Sequence, residues 1–250
     1  MDTIVLSDLE GFIMKEVLLF LAICSLLGAT DLLEKIDRNL QPASSESYKK
    51  IVNIEPDGSK KEFLLYQARK GKDKMVSLFL KPESEKGRST LRRGDNMWLF
   101  IPNVGKPIRI ASMQSVVGGV FNNSDIMRLD FDEEYKIITQ KESSREYTLT
   151  LKAKNRSVAY DKLSMIVDKK SLTPKKVLCY SSTGVLIKTL TYRSIKKFAT
   201  GIVRPSVVET VSPFYKGYKS IMIYGKITPR NFANEVFTLD NISKVGSIRR

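Results

Sequence analysis

The chain contains no histidine, and that single absence excludes more chemistry than any residue present adds. A Ser-His-Asp or Cys-His nucleophilic site, a histidine general base and the usual zinc or non-haem iron centre all require an imidazole. Two cysteines, Cys24 and Cys179, cannot complete a four-thiolate cluster. What survives is chemistry by carboxylate, lysine or tyrosine, or none at all. The expectation is a protein that is not an enzyme and uses no metal and no cofactor. Low-complexity and collagen-like bias are absent too, and no apolar run reaches the roughly 20 residues that a membrane-spanning helix needs. Acidic residues are in deficit: 27 Asp plus Glu face 42 Lys plus Arg, a net charge of +15. That surplus points to an anionic partner or surface and says nothing about fold.

What is present suits one core. With 250 residues and 42% apolar content the chain can bury a sizeable interior, and a β-rich sheet of this length can form one domain. The apolar stretch Val17 to Ala29 follows Met14-Lys15-Glu16 and has the length of a secretory signal, with small residues ahead of a cut near Ala29. Residues 1–13 carry Asp2, Asp8 and Glu10 and no base, the wrong sign for such a signal, so Met14 is read as the natural start. The domain division is therefore 1–29, extension and signal peptide, and 30–250, one folded domain. Two alternatives use the same stretch differently: a buried helix or uncleaved anchor, and lipidation at Cys24, against which the bulky Ile23 stands.

Asp31 to Leu40 reads as an amphipathic helix, with Leu32, Leu33, Ile36 and Leu40 on one stripe. After Pro42 the period changes to two. Strands are predicted over Tyr48–Glu55, Lys61–Arg69, Met75–Leu80 and Arg88–Arg93, then over the stretch from Gly94 to Ile110 that carries Trp98, the sole tryptophan. Asn122-Asn123-Ser124-Asp125-Ile126 reads as a polar cap opening a short helix. Further strands follow over Glu146–Lys154, Leu163–Asp168, Lys175–Tyr180, Val185–Tyr192 and Tyr218–Ile227, and Asn231–Ile242 reads as a closing helix. Regular strands with turns between them and few helices argue one antiparallel sheet curled into all or part of a barrel.

Glu146–Lys154 alternates most cleanly: Tyr147, Leu149, Leu151 and Ala153 on one face, Thr148, Thr150, Lys152 and Lys154 on the other. The acidic run Asp130-Phe131-Asp132-Glu133-Glu134 would put Asp130, Asp132 and Glu134 on one side of a strand. Without a glycine-containing ligand loop it reads as solvated turn residues and not as a cation site. Basic segments such as Tyr192-Arg193-Ser194-Ile195-Lys196-Lys197-Phe198 interleave cations with aromatics, but lysines spread over many strands read as a polar outer face, so no nucleic acid partner is expected.

The blocks Gly94-Asp95-Asn96-Met97-Trp98-Leu99-Phe100-Ile101-Pro102, Lys106-Pro107-Ile108-Arg109-Ile110 and Phe121-Asn122-Asn123-Ser124-Asp125-Ile126 resemble those of the outer-membrane lipoprotein-sorting protein family, the LolA/LolB-like group. So do Ala159-Tyr160-Asp161-Lys162-Leu163, Pro174-Lys175-Lys176-Val177 and Gly184-Val185-Leu186-Ile187-Lys188-Thr189-Leu190, over roughly residues 45–240. The resemblance implies a mainly β, α+β fold: a single incomplete antiparallel β-barrel with an apolar concave face covered by short helices. It implies a monomeric periplasmic carrier that takes acyl chains of lipoproteins or other lipids from an inner-membrane transporter and delivers them towards an outer-membrane acceptor. A sensor or adaptor that uses the same cleft and signals through a protein partner is the alternative. An acyl chain asks only for a dry groove, worth about 0.8 kcal/mol per buried CH₂. Candidate lining residues are Tyr147, Leu149 and Leu151 by periodicity, then Trp98 and Phe100, with Met165 among the adaptable methionines. An ordinary packed core is the other reading of the same side chains.

Overall fold

Once the chain passes Pro42, period-two alternation dominates, and the result is a single sheet. The structure, a computed structural model, describes residues 32–127, 130–199 and 201–249. The expected signal segment, with Met14, Cys24 and Ala29, lies outside the described residues. Helix α1 spans residues 32–40. Thirteen strands follow: β1 (Ser44–Ile54), β2 (Lys60–Lys70), β3 (Lys74–Lys81), β4 (Ser89–Arg93), β5 (Asn96–Phe100), β6 (Ile108–Ile110), β7 (Tyr135–Glu142), β8 (Glu146–Ala153), β9 (Lys162–Asp168), β10 (Thr173–Tyr180), β11 (Leu186–Lys197), β12 (Val203–Val211) and β13 (Lys219–Pro229). Between β6 and β7 lie two short helices, α2 (Asn123–Met127) and α3 (Phe131–Glu134).

The strand order is β6-β5-β4-β3-β2-β1-β13-β12-β11-β10-β9-β8-β7. Two antiparallel meanders thus meet at a central seam where β1 pairs with β13, from Ser45 opposite Pro229 to Ile54 opposite Lys219, with a shift of register between Ser47 and Lys49. The sheet does not close: β6 and β7 are its edges, and the connection between them, residues 111–134, crosses the inner face. One apolar cluster joins side chains from β1, β2, β3, β5 and β8 to β13 with Leu33, Ile36 and Leu40 of α1 and with Phe121, Ile126, Met127 and Phe131 of that connection. A sheet can bring so many strands onto one cluster only by curling around it. Here α1 and residues 111–134 together form a cover that fills the inside of an incomplete antiparallel barrel.

Expected and observed strands agree closely, with two additions. β7 is largely exposed and polar, so its sequence carries no alternation to read. β12 contains Pro205, which suppresses a strand reading because it has no N–H to give to a ladder. The structure shows why it is tolerated: β12 pairs with β13 only from Val207 to Val211, so Pro205 lies where β12 has a strand on one side only. The closing helix is instead two 3₁₀ segments, Asn234–Phe237 and Leu239–Ile248.

Those segments seal a second apolar cluster on the outer face of β2 to β5, where Phe237, Ile242 and Val245 pack on Tyr66, Ala68, Val76, Leu78 and Leu91. Trp98 and Phe100 belong to this cluster. Phe237 is fully buried there. Replacing it by alanine removes an aromatic side chain from a packed site and costs roughly 3–5 kcal/mol. Urea unfolding of Phe237→Ala, followed by the fluorescence of Trp98 in the same cluster, is expected to show the corresponding drop in midpoint.

Candidate functional site

The inner face is mostly apolar, and Lys188, Arg69, Arg92 and Arg204, four of the charged side chains on it, meet the cover. In the connection, Asn122 and Asp125 cap α2 reciprocally: Asn122 Oδ1 accepts from the Asp125 N–H and Asp125 Oδ2 from the Asn122 N–H, both at 3.0 Å. This is the capping expected of the polar run, with an aspartate closing the box. The same Asp125 carboxylate takes Lys188 Nζ of β11 at 2.7 Å and the Tyr160 hydroxyl at 2.7 Å. Lys188 also donates to the Val120 carbonyl at 2.6 Å. Burial, then the neighbouring Asp125 and Cys179, push the Tyr160 hydroxyl well above its ordinary pKa, so it stays a donor.

A second latch lies at the other end of the connection. Asp130 receives Arg69 of β2 at 2.5 Å and Arg92 of β4 at 3.2 Å. Arg92 also donates to the Met127 carbonyl, and Gln67 to that of Ile126. Asp130 is 2% exposed and Glu134 6%, and both flank or belong to a helix. The reading of this run as solvated turn residues is thereby corrected. The guanidiniums waiting on β2 and β4 draw Asp130 inward, while Asp132 and Glu133 pair with Lys72 outside. Among the described residues no group of three His, Cys, Asp or Glu side chains could hold a metal.

Helix α1 is tied to both neighbours. Asp37 accepts the N–H groups of Phe131 at 3.0 Å and Asp132 at 2.8 Å, which joins α1 to α3. At its far end, Arg204 of β12 donates to the Leu40 carbonyl, one of the carbonyls a helix C-terminus leaves unpaired, and Asn39 donates to the Ser171 carbonyl at 2.9 Å. Nearest the seam, Gly119 sits on Asn53: a Cβ at Gly119 would lie 2.2 Å from Asn53 Oδ1, which leaves no room for any side chain there. Asn53 in turn donates to the Val117 carbonyl and accepts from Ser220.

Of the six residues singled out from sequence, Leu149, Leu151 and Met165 are fully buried on the inner face, and Leu149 is directly opposite Met165 in the β8–β9 register. Tyr147 is half-buried at the margin of the same cluster. Trp98 and Phe100 are on the opposite face, under the 3₁₀ segments. Their expected place in the cleft is corrected by strand parity: in β5 it is Met97 that faces inward. With the cover in place, a space of about 40 Å³ remains beneath it, bordered by Phe131, Leu163, Val177 and Tyr192 and by Asp125, Asp130 and Tyr160 of the latches. A much larger groove, about 1300 Å³, opens beyond Tyr192 at the end of α1, lined by Asn39, Thr173, Arg193, Ile195 and Val203 among others. Ile195 and Val203 expose apolar surface on it.

A family model described as "-like: Uncharacterized protein" matches residues 71–244. Among solved structures, a LolA superfamily protein from Nitrosomonas europaea is 28% identical, covering 85% of this chain and 98% of its own, with a TM-score of 0.76. The chain belongs to the LolA-like family. An outer membrane lipoprotein-sorting protein domain from Vibrio parahaemolyticus (15% identity, 87% and 99% covered, TM-score 0.72) and a DUF1329 family protein from Desulfovibrio piger (20%, 87% and 98%, 0.73) share the fold. No curated protein sequence matches the chain.

The polar residues that hold the LolA-like cover, Lys188, Arg69, Arg92, Arg204 and Asn53, escaped the sequence reading, which assigned basic residues to the outer face. A signal existed: Lys188 has the same strand parity as Leu190 and Tyr192, both buried. A cation at an apolar parity calls for a buried partner.

Two predictions follow from these latches. Asp130→Asn leaves Arg69 and Arg92 without their counter-charge, a loss of about 3–5 kcal/mol. Hydrogen exchange is expected to quicken over residues 111–127 while β1, β2 and β13 keep their protection. Burial pushes the Asp37 carboxyl up to about 8 from 3.8, against the pull of the Asp132 and Phe131 N–H groups. The folded chain then holds a proton that the unfolded chain loses near pH 4, so this contribution is full at low pH and fades as pH rises towards 8. Melting curves across pH 4 to 8 should show wild-type protein losing stability relative to Asp37→Asn, and no further divergence above pH 8.

Proposed function

We propose that this LolA-like chain is a periplasmic carrier of acyl chains, from lipoproteins or other lipids, which it binds on the inner face of the open barrel after the cover lifts. Its chemistry is binding and release, with no catalytic step. An inner-membrane transporter is the proposed donor and an outer-membrane site the acceptor. Leu149, Leu151 and Met165 form the floor of the proposed cleft, with Tyr147 at its margin. The groove beyond Tyr192 is the proposed entry, and Tyr192, which borders both the groove and the small interior space, is the partition a chain must pass.

One observation carries this reading: the apolar interior is occupied by a connection that crosses from one sheet edge to the other and is fixed in position there by side-chain latches. Phe121, Ile126, Met127 and Phe131 occupy apolar surface that an acyl chain would otherwise cover. Loading exchanges one apolar occupant for another, so the hydrophobic gain of about 0.8 kcal/mol per CH₂ is offset by what the cover gives up. That balance lets a carrier bind and still release. When the cover lifts, the buried ion pairs regain water, which lowers the cost of opening.

Native mass spectrometry of the exported chain, purified without detergent, is expected to reveal a bound acylated peptide or phospholipid. Leu149→Glu on the inner face should lose it, and Thr150→Glu on the outer face should keep it. Because Leu149→Glu could simply unfold, a second variant is decisive. Asn53→Cys removes the amide group that crowds Gly119, so Gly119→Cys can stand beside it and the pair places two thiols across the cover and the sheet. Oxidation should abolish uptake of a fluorescent acyl probe, and reduction should restore it. A bare protein that takes up no probe in either state would overturn the carrier reading.

A further inference from the structure

Beneath the last turn of α1, where β12 and β13 part, the sheet contains a small cavity of unusual composition, bordered almost wholly by buried residues. Three cationic side chains border it: Lys49 of β1, Arg69 of β2 and Arg204 of β12, respectively 2%, 6% and 1% exposed. Among the described residues no carboxylate borders it. Arg69 spends its Nη2 on Asp130 and its Nε on the Gly71 carbonyl, and Arg204 spends Nη1 on the Leu40 carbonyl. What they leave unspent is considerable. Among the described residues, Lys49 Nζ, Arg69 Nη1, Gln41 Nε2 and the Tyr224 hydroxyl are buried and find no partner that meets hydrogen-bond geometry, and all four residues border this cavity.

Native proteins rarely leave even one such group unpaired, and four around one space call for an occupant. A buried cation without a counter-charge costs several kcal/mol even after relaxation. Lys49 and Arg204 rest against the Tyr224 ring, with Nζ 4.7 Å and the guanidinium carbon 3.9 Å from its centroid. The ring contact supplies attraction, and against the push of burial the same two cations hold the Tyr224 hydroxyl below its ordinary pKa, which makes it a stronger donor. Burial above all, opposed by Tyr224 and reinforced by Arg204 and Arg69, holds the Lys49 ammonium below its ordinary pKa. A negative charge in the cavity would relieve that cost.

Size decides the class of occupant. The cavity has room for the centre of one water-sized particle, about 10 Å³, which excludes phosphate, sulfate and a lipid headgroup. Water would fit, but water brings no charge. We propose that the cavity is a binding site for one halide-sized anion, chloride being the probe of choice, held by Lys49 Nζ, Arg69 Nη1, Gln41 Nε2 and the Tyr224 hydroxyl. Gln41 directly follows α1, so the ion bridges the cover's first element to the sheet and its occupancy strengthens the closed arrangement.

Two measurements on the full chain test this. Crystals soaked in sodium bromide should show an anomalous peak inside the cavity, within hydrogen-bond distance of Lys49 Nζ. In solution, replacing gluconate by chloride at constant ionic strength should raise Tm by about 3–6 °C once chloride is tenfold above its Kd. Lys49→Met should melt at the same temperature in both salts, and Tyr224→Phe should show a reduced shift. Bromide found only on the surface, or wild-type protein that melts identically in chloride and gluconate, would overturn the proposal and leave the cavity to water.

Discussion

The arrangement depends on matching charge across a closed interface. Lys188, Arg69, Arg92 and Arg204 project from the inner face of a sheet whose other inward side chains are mostly apolar, and each finds an acceptor on the cover: Asp125, Asp130, or the carbonyls of Met127 and Leu40. Burying these ions costs desolvation that their pairing only partly returns, so the latches add little net stability to the closed state. Their effect is directional. Apolar contact alone would let residues 111–134 settle in many similar positions, whereas a carboxylate must meet its cation at hydrogen-bond distance. The apolar contacts supply the affinity of the cover for the sheet, and the ion pairs select its position.

Much of the fold was legible because the outer surface of most strands is solvated. Glu146–Ala153 shows this best: Leu149 and Leu151 lie buried and Thr148 exposed, as alternation requires. The reading faltered where a strand is wet on both sides, as in β7, or where a proline conceals one, as in β12. It also faltered where both faces are covered. In β5 the alternation of Met97, Trp98, Leu99 and Phe100 is apolar throughout, so no pattern in the residues says which pair faces inward. Only the C-terminal 3₁₀ segments, packed on the outer face more than a hundred residues later in the chain, assign Trp98 and Phe100 to the outside.

The candidate site was half legible for a related reason. Apolar inner-face residues announce themselves by periodicity, and Leu149, Leu151 and Met165 did. Charged inner-face residues look like surface lysines and arginines unless their partner is known, and the partners come from segments distant in sequence: Asp125 for Lys188, Asp130 for Arg69, Leu40 for Arg204. The acidic run at 130–134 could not be placed until a helix, and not a strand, was found there. What the run neutralises lies on β2, β4 and the turn after β2.

The seam between β1 and β13 has a consequence for how the molecule is made. Its two meanders can each zip locally, hairpin by hairpin, but they join through residues as far apart as Ser45 and Pro229. Such a pairing incurs its loop-closure entropy late and makes folding slow. β1 therefore stays unpaired on one side until the second meander has reached it. Throughout that interval an edge strand rich in Ile51, Val52 and Ile54 is available to other chains. Folding thus passes through an aggregation-exposed interval that ends only when β13 pairs with β1.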